Sequence, residues 1–150
     1  MLNIAKPVKI KDTNTRKDKN MKTQTGVWLE MAEEDMETAG YNLKGKYYLW
    51  AIFLCQQAIE KAFKAIYFEQ AEEVPPRKHD LVVLARLTNL IAECDEKRLD
   101  FLRRLTVYYL ETRYPEERTS LAAKCTEEHT REILSQTGEV FQWLKSKLKQ

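Results

Sequence analysis

One segment constrains the fold more than any other, because the sequence between Lys46 and Ala71 contains neither glycine nor proline. Two rows of residues repeat along it at alternating steps of four and three, the spacing of one face of an α-helix. One row is small (Ala51, Cys55, Ala58, Ala62, Ala65), and its neighbour is larger and includes an amide (Ile52, Gln56, Ile59, Phe63, Ile66). A row of small residues lets another backbone approach closely. The pattern therefore predicts a central helix over Lys46–Ala71 that is covered on most sides.

The rest of the chain predicts further helices and no strands. Only four glycines and four prolines occur, too few for the many turns of a β-rich fold. Thr25 is the predicted N-cap of a first helix, which Gly45 ends. Asp80, Asp95 and Thr126 each precede a segment of helical periodicity and are predicted caps. We predict an all-α, up-and-down bundle of four to five helices, with a polar connection, EERTSLAAKC, before the last helix.

Charge divides the chain near residue 20. Residues 1–20 contain six basic and two acidic residues, a net charge of +4, whereas the remaining chain carries −2. We predict a flexible basic tail over 1–20 and a single helical domain over 21–150. The domain has no excess of basic residues, so bulk charge would not drive nucleic-acid binding, although a local basic stripe could.

The cysteines and the apolar segments exclude several classes of protein. Cys55, Cys94 and Cys125 lie far apart, with no CxxC pair and no Cys/His ligand spacing. We therefore predict reduced thiols, no metal site and no cofactor. The longest apolar run, YYLWAIFLC, is much shorter than the roughly 20 residues of a membrane span. No apolar segment follows the N-terminal charges, as it would in a signal peptide. These features predict a cytoplasmic protein without a membrane partner.

Four pieces of the sequence, taken in order, resemble the HEPN family. They are CQQAIEKAFKAIY on the central helix, a proline loop leading to HDL, RYPEE after an aromatic helix, and a terminal helix with an acidic start. The resemblance covers about Thr25 to Leu148. It implies a helical bundle that commonly forms a homodimer. Many family members are encoded beside a minimal nucleotidyltransferase, as one half of a toxin–antitoxin pair.

Some members of the family cut RNA without a metal ion, using an Arg followed after four to six residues by a His. An Arg can hold the scissile phosphate, and a His can move a proton at neutral pH. Here Arg113 is followed by YPEERTSLA, and the sequence has only His79 and His129. The form RYPEE resembles small stand-alone members instead. The catalytic residues therefore remain unknown, and the departure from the family pattern argues against nuclease activity.

Five residues are candidates for binding a nucleotide or RNA: Arg113, Tyr114, Arg118, His79 and Lys61. Arg113 and Tyr114 stand at a helix end before a proline, where Arg could either bind a ligand or satisfy the last carbonyl groups. His79 precedes a predicted cap, where it could either pack over the cap or carry a proton. A binding module, an endoribonuclease toxin and a purely structural interaction module are the three functions considered, with the binding module preferred.

Gln56, Ala58 and Tyr109 are the candidates for a dimer interface. Gln56 lies in line with large apolar residues, where an amide fits a surface buried against a second copy and can fix its register. Glu60 and Lys64 form a pair at i and i+4, and we predict that they lie on a solvated stripe.

Overall fold

The computed structural model of the protein describes residues 22–148 and contains only helices and connections over that range. The helices are α1 (Thr23–Lys44), α2 (Tyr48–Ala71), α3 (Leu81–Leu87), α4 (Glu96–Glu111), α5 (Pro115–Lys124) and α6 (Glu127–Leu148), with a 3₁₀ turn at Ile91–Glu93. The predicted all-α bundle is confirmed, with six helices between residues 22 and 148 rather than four to five. None of the helices in the described range is long and apolar enough to cross a membrane. The tail predicted over 1–20 lies outside the described residues.

Helix α2 is the central helix, as its sequence pattern predicts. It packs against α1, α3, α4, α5 and α6, and most closely against α1. The row of small residues is buried throughout, with exposed fractions of at most 1% (Ala51, Cys55, Ala58, Ala62, Ala65). Phe63 is the largest fully buried side chain among residues 22–148 and lies in the neighbouring row. Close approach of α1 and burial of the large row therefore both follow from the two stripes of α2.

The start of α1 is tied to the far end of α2 by Glu69. The Glu69 carboxylate accepts hydrogen bonds from the Lys22 backbone N–H at 3.1 Å and from the Thr25 hydroxyl at 2.6 Å. The Lys22 ammonium donates to the Glu69 carbonyl at 2.6 Å. The prediction that Thr25 caps α1 is wrong, because the helix begins at Thr23 and the Thr25 side chain is buried against Glu69 instead.

The other predicted caps agree with the structure. Asp80 accepts hydrogen bonds from the N–H groups of Val82 and Val83 at the start of α3. Asp95 accepts from the N–H of Arg98, and the Thr126 hydroxyl accepts from a first-turn N–H of α6. Each satisfies amide groups that have no partner within the helix.

Two segments differ from the sequence prediction. The periodicity of LVVLARLTNLIAE after Asp80 predicts a longer helix, but α3 ends at Leu87 because Asn89 adopts a left-handed backbone with φ of 61°. The predicted polar connection after α4 is helix α5. Pro115 occupies its first turn, where a missing N–H carries no penalty and the fixed φ suits a helix. Only Leu121 of α5 is buried, so its sequence shows little apolar periodicity.

Candidate functional site

A buried carboxylate, Glu60 of α2, is the centre of a polar network inside the bundle. Only 5% of Glu60 is exposed. Its carboxylate accepts hydrogen bonds from the Lys64 ammonium at 2.6 Å and from the Gln56 amide at 3.1 Å. The third partner is His79, whose Nδ1 lies 3.1 and 3.2 Å from the two carboxylate oxygens. A buried charge requires such partners, so Glu60 is held by three side chains at once.

His79 is placed by both its backbone and its ring. The loop after α2 brings its carbonyl to the Gln56 amide, which donates to it at 3.0 Å, and Asp80 then caps α3. The imidazole stacks on the Tyr109 ring, with centroids 4.1 Å apart and an interplanar angle of 21°. A neutral imidazole that donates from Nδ1 to Glu60 retains Nε2 as a proton acceptor. The side chain is 37% exposed, so the ring connects the buried network with the surface.

Tyr109 of α4 brings His79 and Arg113 to one place. Arg113 follows Tyr109 by one helical turn, and its guanidinium lies 4.4 Å from the Tyr109 ring centroid. Its Nη2 also donates a hydrogen bond to the Tyr109 hydroxyl. The same ring stacks on Phe53 of α2, with centroids 6.2 Å apart. His79 and Arg113 therefore contact the same tyrosine, although they are distant in sequence.

The aromatic contacts continue from Phe53 to the start of α5. Trp50 meets Phe53 edge to face, with centroids 5.6 Å apart. The Arg118 guanidinium lies 5.1 Å from the Trp50 ring centroid. Arg118 lies near the start of α5, where its backbone N–H donates to the carbonyl of the N-cap residue Tyr114 at 2.8 Å. We call the four rings the aromatic row (Trp50, Phe53, Tyr109, His79). One arginine contacts the row near each end.

The structure brings four of the five predicted ligand-binding residues to this region. His79 is part of the aromatic row, Arg113 and Arg118 contact it, and Tyr114 is exposed between the two arginines in sequence. Lys61 is separate, because its ammonium forms an ion pair with Asp35 of α1 at 2.5 Å. Opposite charge already neutralises Lys61, so the structure offers no reason to include it in the site.

The predicted dimer interface and solvated stripe require correction. Gln56 and Ala58 are both 0% exposed within the single chain, so neither offers surface to a second copy. Tyr109 is 8% exposed, and its ring contacts His79 and Arg113 of the same chain. Glu60 and Lys64 are 5% and 7% exposed, not solvated. Gln56, Glu60 and Lys64 can be buried because Gln56 and Lys64 donate hydrogen bonds to the Glu60 carboxylate. The His79 ring contacts the same carboxylate.

Two members of the aromatic row and the carboxylate at its base were missed as site residues. Trp50 and Phe53 look like ordinary apolar positions of α2 in the sequence. A signal for Glu60 was present, since Gln56, Glu60 and Lys64 recur at steps of four and therefore share one helical face. That face also adjoins the buried Ile52 and Ile59 row, which argues against full exposure to solvent.

Burial suppresses the reactivity of the thiols. Burial raises the pKa of the Cys55 thiol from 9.0 to about 12, although a hydrogen bond with Thr137 acts in the opposite direction. Burial also raises the pKa of Cys94 and of Cys125, and it raises that of Tyr108 to about 12. These thiols are therefore mostly protonated at neutral pH and are poor nucleophiles. Among residues 22–148, no group of three or more His, Cys, Asp or Glu side chains is arranged to hold a metal ion.

Comparison with known proteins agrees with the helical architecture. The sequence model of the HEPN domain matches residues 25–147. The chain is also similar to the protein TT1696 from Thermus thermophilus, whose crystal structure superposes with a TM-score of 0.72 at 25% sequence identity. This match covers 85% of the present chain and 100% of the Thermus chain. No curated protein sequence matches the chain.

Proposed function

The chain belongs to the HEPN family, and on this premise we propose that it is a cytoplasmic, homodimeric binding module for a nucleotide or RNA. The proposed ligand contacts are Arg113 and Arg118, with His79 and Tyr114 beside them. The proposed partner is a minimal nucleotidyltransferase, in a toxin–antitoxin-like pair. The family resemblance supports the pairing and the dimer, and the geometry of the two arginines supports the ligand.

One observation carries the ligand proposal: Arg113 and Arg118 are exposed, and their guanidinium groups contact aromatic rings instead of forming ion pairs with carboxylates. Within residues 22–148, neither guanidinium forms an ion pair, whereas Arg104 and Arg131 on other surfaces do. A guanidinium binds a phosphate through two parallel hydrogen bonds, and stacking on a ring orients it in advance. Aromatic faces also stack nucleobases without regard to sequence. Cations and rings together suit a ligand that has both phosphate and base.

The dimer proposal rests on the surface around Arg113. Leu110 and Tyr114 flank it on α4 and at the start of α5, and they are 52% and 61% exposed. Exposed large apolar side chains beside polar ones are typical of protein interfaces. A second copy seated there would place two Arg113 side chains near one cleft. Sedimentation equilibrium tests this arrangement: Leu110→Lys should convert the dimer to a monomer, whereas Leu87→Lys, at another exposed leucine, should not.

Binding is tested directly with fluorescently labelled RNA and with a labelled mononucleotide at low salt. Arg113→Ala should weaken binding by about tenfold or more, because it removes a charge-assisted hydrogen bond. Arg131→Ala is the matched control, since Arg131 is exposed but paired with Glu127. If the wild-type protein binds neither probe, the binding proposal is wrong and a purely structural interaction module becomes the better description.

RNA cleavage is the second candidate function, and the contact between His79 and Glu60 favours it. Nε2 of His79 could take the proton of a ribose 2′-hydroxyl while Glu60 holds Nδ1. The 2′ oxygen then attacks phosphorus, the bond from phosphorus to the 5′ oxygen breaks, and that oxygen takes a proton from the imidazolium. Arg113 would stabilise the charge on the other phosphate oxygens. This arrangement uses a His far from Arg113 in sequence.

Cleavage is tested by incubating RNA with the protein in the presence of a chelator. The expected products end in a 2′,3′-cyclic phosphate and a 5′-hydroxyl group. His79→Gln should abolish their formation, while His129→Gln should have no effect. DNA should remain intact because it has no 2′-hydroxyl group. Intact RNA after prolonged incubation with the wild-type protein would leave ligand binding as the function.

A further inference from the structure

A second surface feature adjoins the aromatic row at its Trp50 end. A cavity of about 300 Å³ lies between the turn joining α1 to α2 and one side of α5. Its lining includes Lys46, Tyr47, Tyr48, Trp50, Arg118 and Ala122. Tyr47 is 64% exposed and Trp50 is 41% exposed. The volume falls at the lower end of the range found for small-ligand sites.

The lining chemistry of this cavity is aromatic and cationic. No acidic side chain is among its lining residues in the described part of the chain, while Lys46 and Arg118 are both basic. A second surface cavity, of about 270 Å³, is lined by Glu69 and Glu93, its one lysine is paired with Glu93, and no aromatic side chain of residues 22–148 lines it. The cavity at Trp50 therefore favours a ligand with a flat ring and a negative charge, and the other does not.

We propose that the cavity at Tyr47 and Trp50 is a stacking site for one base of an unpaired RNA strand, with Arg118 on the adjoining phosphate. This inference rests on the proposed function, which places another phosphate at Arg113. The aromatic row connects the two positions without a break. A mononucleotide can occupy one of them, whereas a strand has enough phosphates and bases to occupy both. The substrate class is thus a single-stranded segment rather than a free nucleotide or a duplex.

The geometry around Trp50 leaves Arg118 and Tyr47 accessible to a phosphate and a base. Arg118 contacts the indole ring and has no carboxylate partner within residues 22–148, so a phosphate meets little competition for its guanidinium. Tyr47 directly precedes α2 and is largely exposed to solvent, while its N–H is satisfied by the Asn42 carbonyl at 2.8 Å. Its backbone is therefore anchored while its ring is available for stacking.

The test compares the affinity for an unpaired uridine oligomer of about ten nucleotides with the affinity for a mononucleotide. Tyr47→Ala should weaken oligomer binding by about tenfold and leave mononucleotide binding at Arg113 unchanged, and Arg118→Ala should also weaken oligomer binding by about tenfold. Tyr41→Ala is the matched control, because Tyr41 is also 64% exposed but lies outside the cavity. Arg131→Ala is the corresponding control for charge. A hairpin of the same length should bind more weakly than the oligomer.

Each result decides between the two proposals. If Arg113→Ala and Arg118→Ala weaken oligomer binding but Tyr47→Ala binds within about twofold of the wild type, the stacking site is wrong and the proposed function stands. If the wild-type protein binds no oligomer and no mononucleotide, both are overturned. Trp50→Ala also removes a contact with Phe53, so the more exposed Tyr47 is the decisive position. Circular dichroism confirms that each variant is folded.

Discussion

Glu60 and His79 face each other across the loop between α2 and α3, with Nδ1 at nearly equal distances of 3.1 and 3.2 Å from the two carboxylate oxygens. This contact joins the middle of the central helix to a loop that has no regular structure of its own. Lys64 and Gln56 complete the coordination of the carboxylate. The His79 ring is consequently fixed in orientation, so the proposed ligand would take little freedom from it on binding.

Removal of the Glu60 charge should destabilise the protein strongly. Glu60→Gln leaves Lys64 as a buried cation without its counter-charge, which costs about 3–5 kcal/mol in comparable buried pairs. The free energy of unfolding, measured in urea, reports this loss. Glu127→Gln is the control, because it breaks an exposed pair with Arg131 and should cost less than about 1 kcal/mol. Equal losses in the two variants would show that the buried network contributes no special stability.

Tyr109→Phe should separate the role of the hydroxyl group from that of the ring. The ring stacks on His79 and Phe53, and phenylalanine retains those contacts. Only the hydroxyl that accepts from Arg113 is lost. We expect a change in unfolding free energy of about 1 kcal/mol or less and a several-fold loss of RNA affinity, because Arg113 is less well oriented. Wild-type affinity in Tyr109→Phe would mean that this hydrogen bond does not position Arg113 for the ligand.

The row of small residues on α2 should tolerate no enlargement. Ala58 is 0% exposed, and a leucine there must displace neighbouring helices, at a cost of about 1–3 kcal/mol or more. Ala123→Leu on the exposed side of α5 is the control and should be nearly neutral. Thermal unfolding of the two variants measures the difference. A stable Ala58→Leu variant would contradict close packing of this row.

Stability should fall in alkaline solution partly because of Cys55. Its pKa is raised by burial from 9.0 to about 12, so the folded protein retains a proton that the unfolded chain loses above pH 9.0. The unfolded state is therefore favoured progressively as pH rises from 9.0 toward 12, by up to about 1.4 kcal/mol per pH unit for this group. Urea unfolding of wild-type and Cys55→Ala protein at several pH values measures the slope.

The Cys55→Ala variant should have a lower free energy of unfolding at neutral pH than the wild type, because a small cavity forms. Its free energy of unfolding should nevertheless decline less steeply as the pH rises. Burial also raises the pKa of Tyr108, which adds to the decline in both proteins equally and cancels in the comparison. Equal slopes of the unfolding free energy against pH in the two proteins would show that burial does not raise the pKa of Cys55 in the folded state.

The fold could be predicted from the sequence where a local pattern determines the structure. The two stripes of α2 and the caps at Asp80, Asp95 and Thr126 depend on neighbouring residues, and they agree with the structure. Helix α5 was missed because its stability does not arise from an apolar face: Leu121 is its one buried residue. Pro115 marks a helix boundary in the sequence, but a proline there also suits the first turn of a new helix.

The candidate site could be predicted only in part, because its contacts join residues distant in sequence. Arg113, Arg118 and His79 were identified from local features. The burial of Glu60 depends on His79, which follows it by 19 residues and reaches it through the loop after α2. Periodicity assigns a residue to a face of its own helix but does not say which loop covers that face. For the same reason, the sequence does not show that the loop residue His79, rather than a second copy, covers Gln56.

The hydrogen bond that the Lys22 N–H donates to Glu69 determines where a label or a surface attachment can be placed for binding measurements. Trp50 and Glu69 lie near opposite ends of α2, which at 1.5 Å per residue places them about 28 Å apart along its axis. The chain therefore enters the bundle at the end remote from the aromatic row. A fluorophore attached to the side chain of residue 22 is therefore far from the arginines, and protein immobilised through that residue should present the opposite end of α2 to solution.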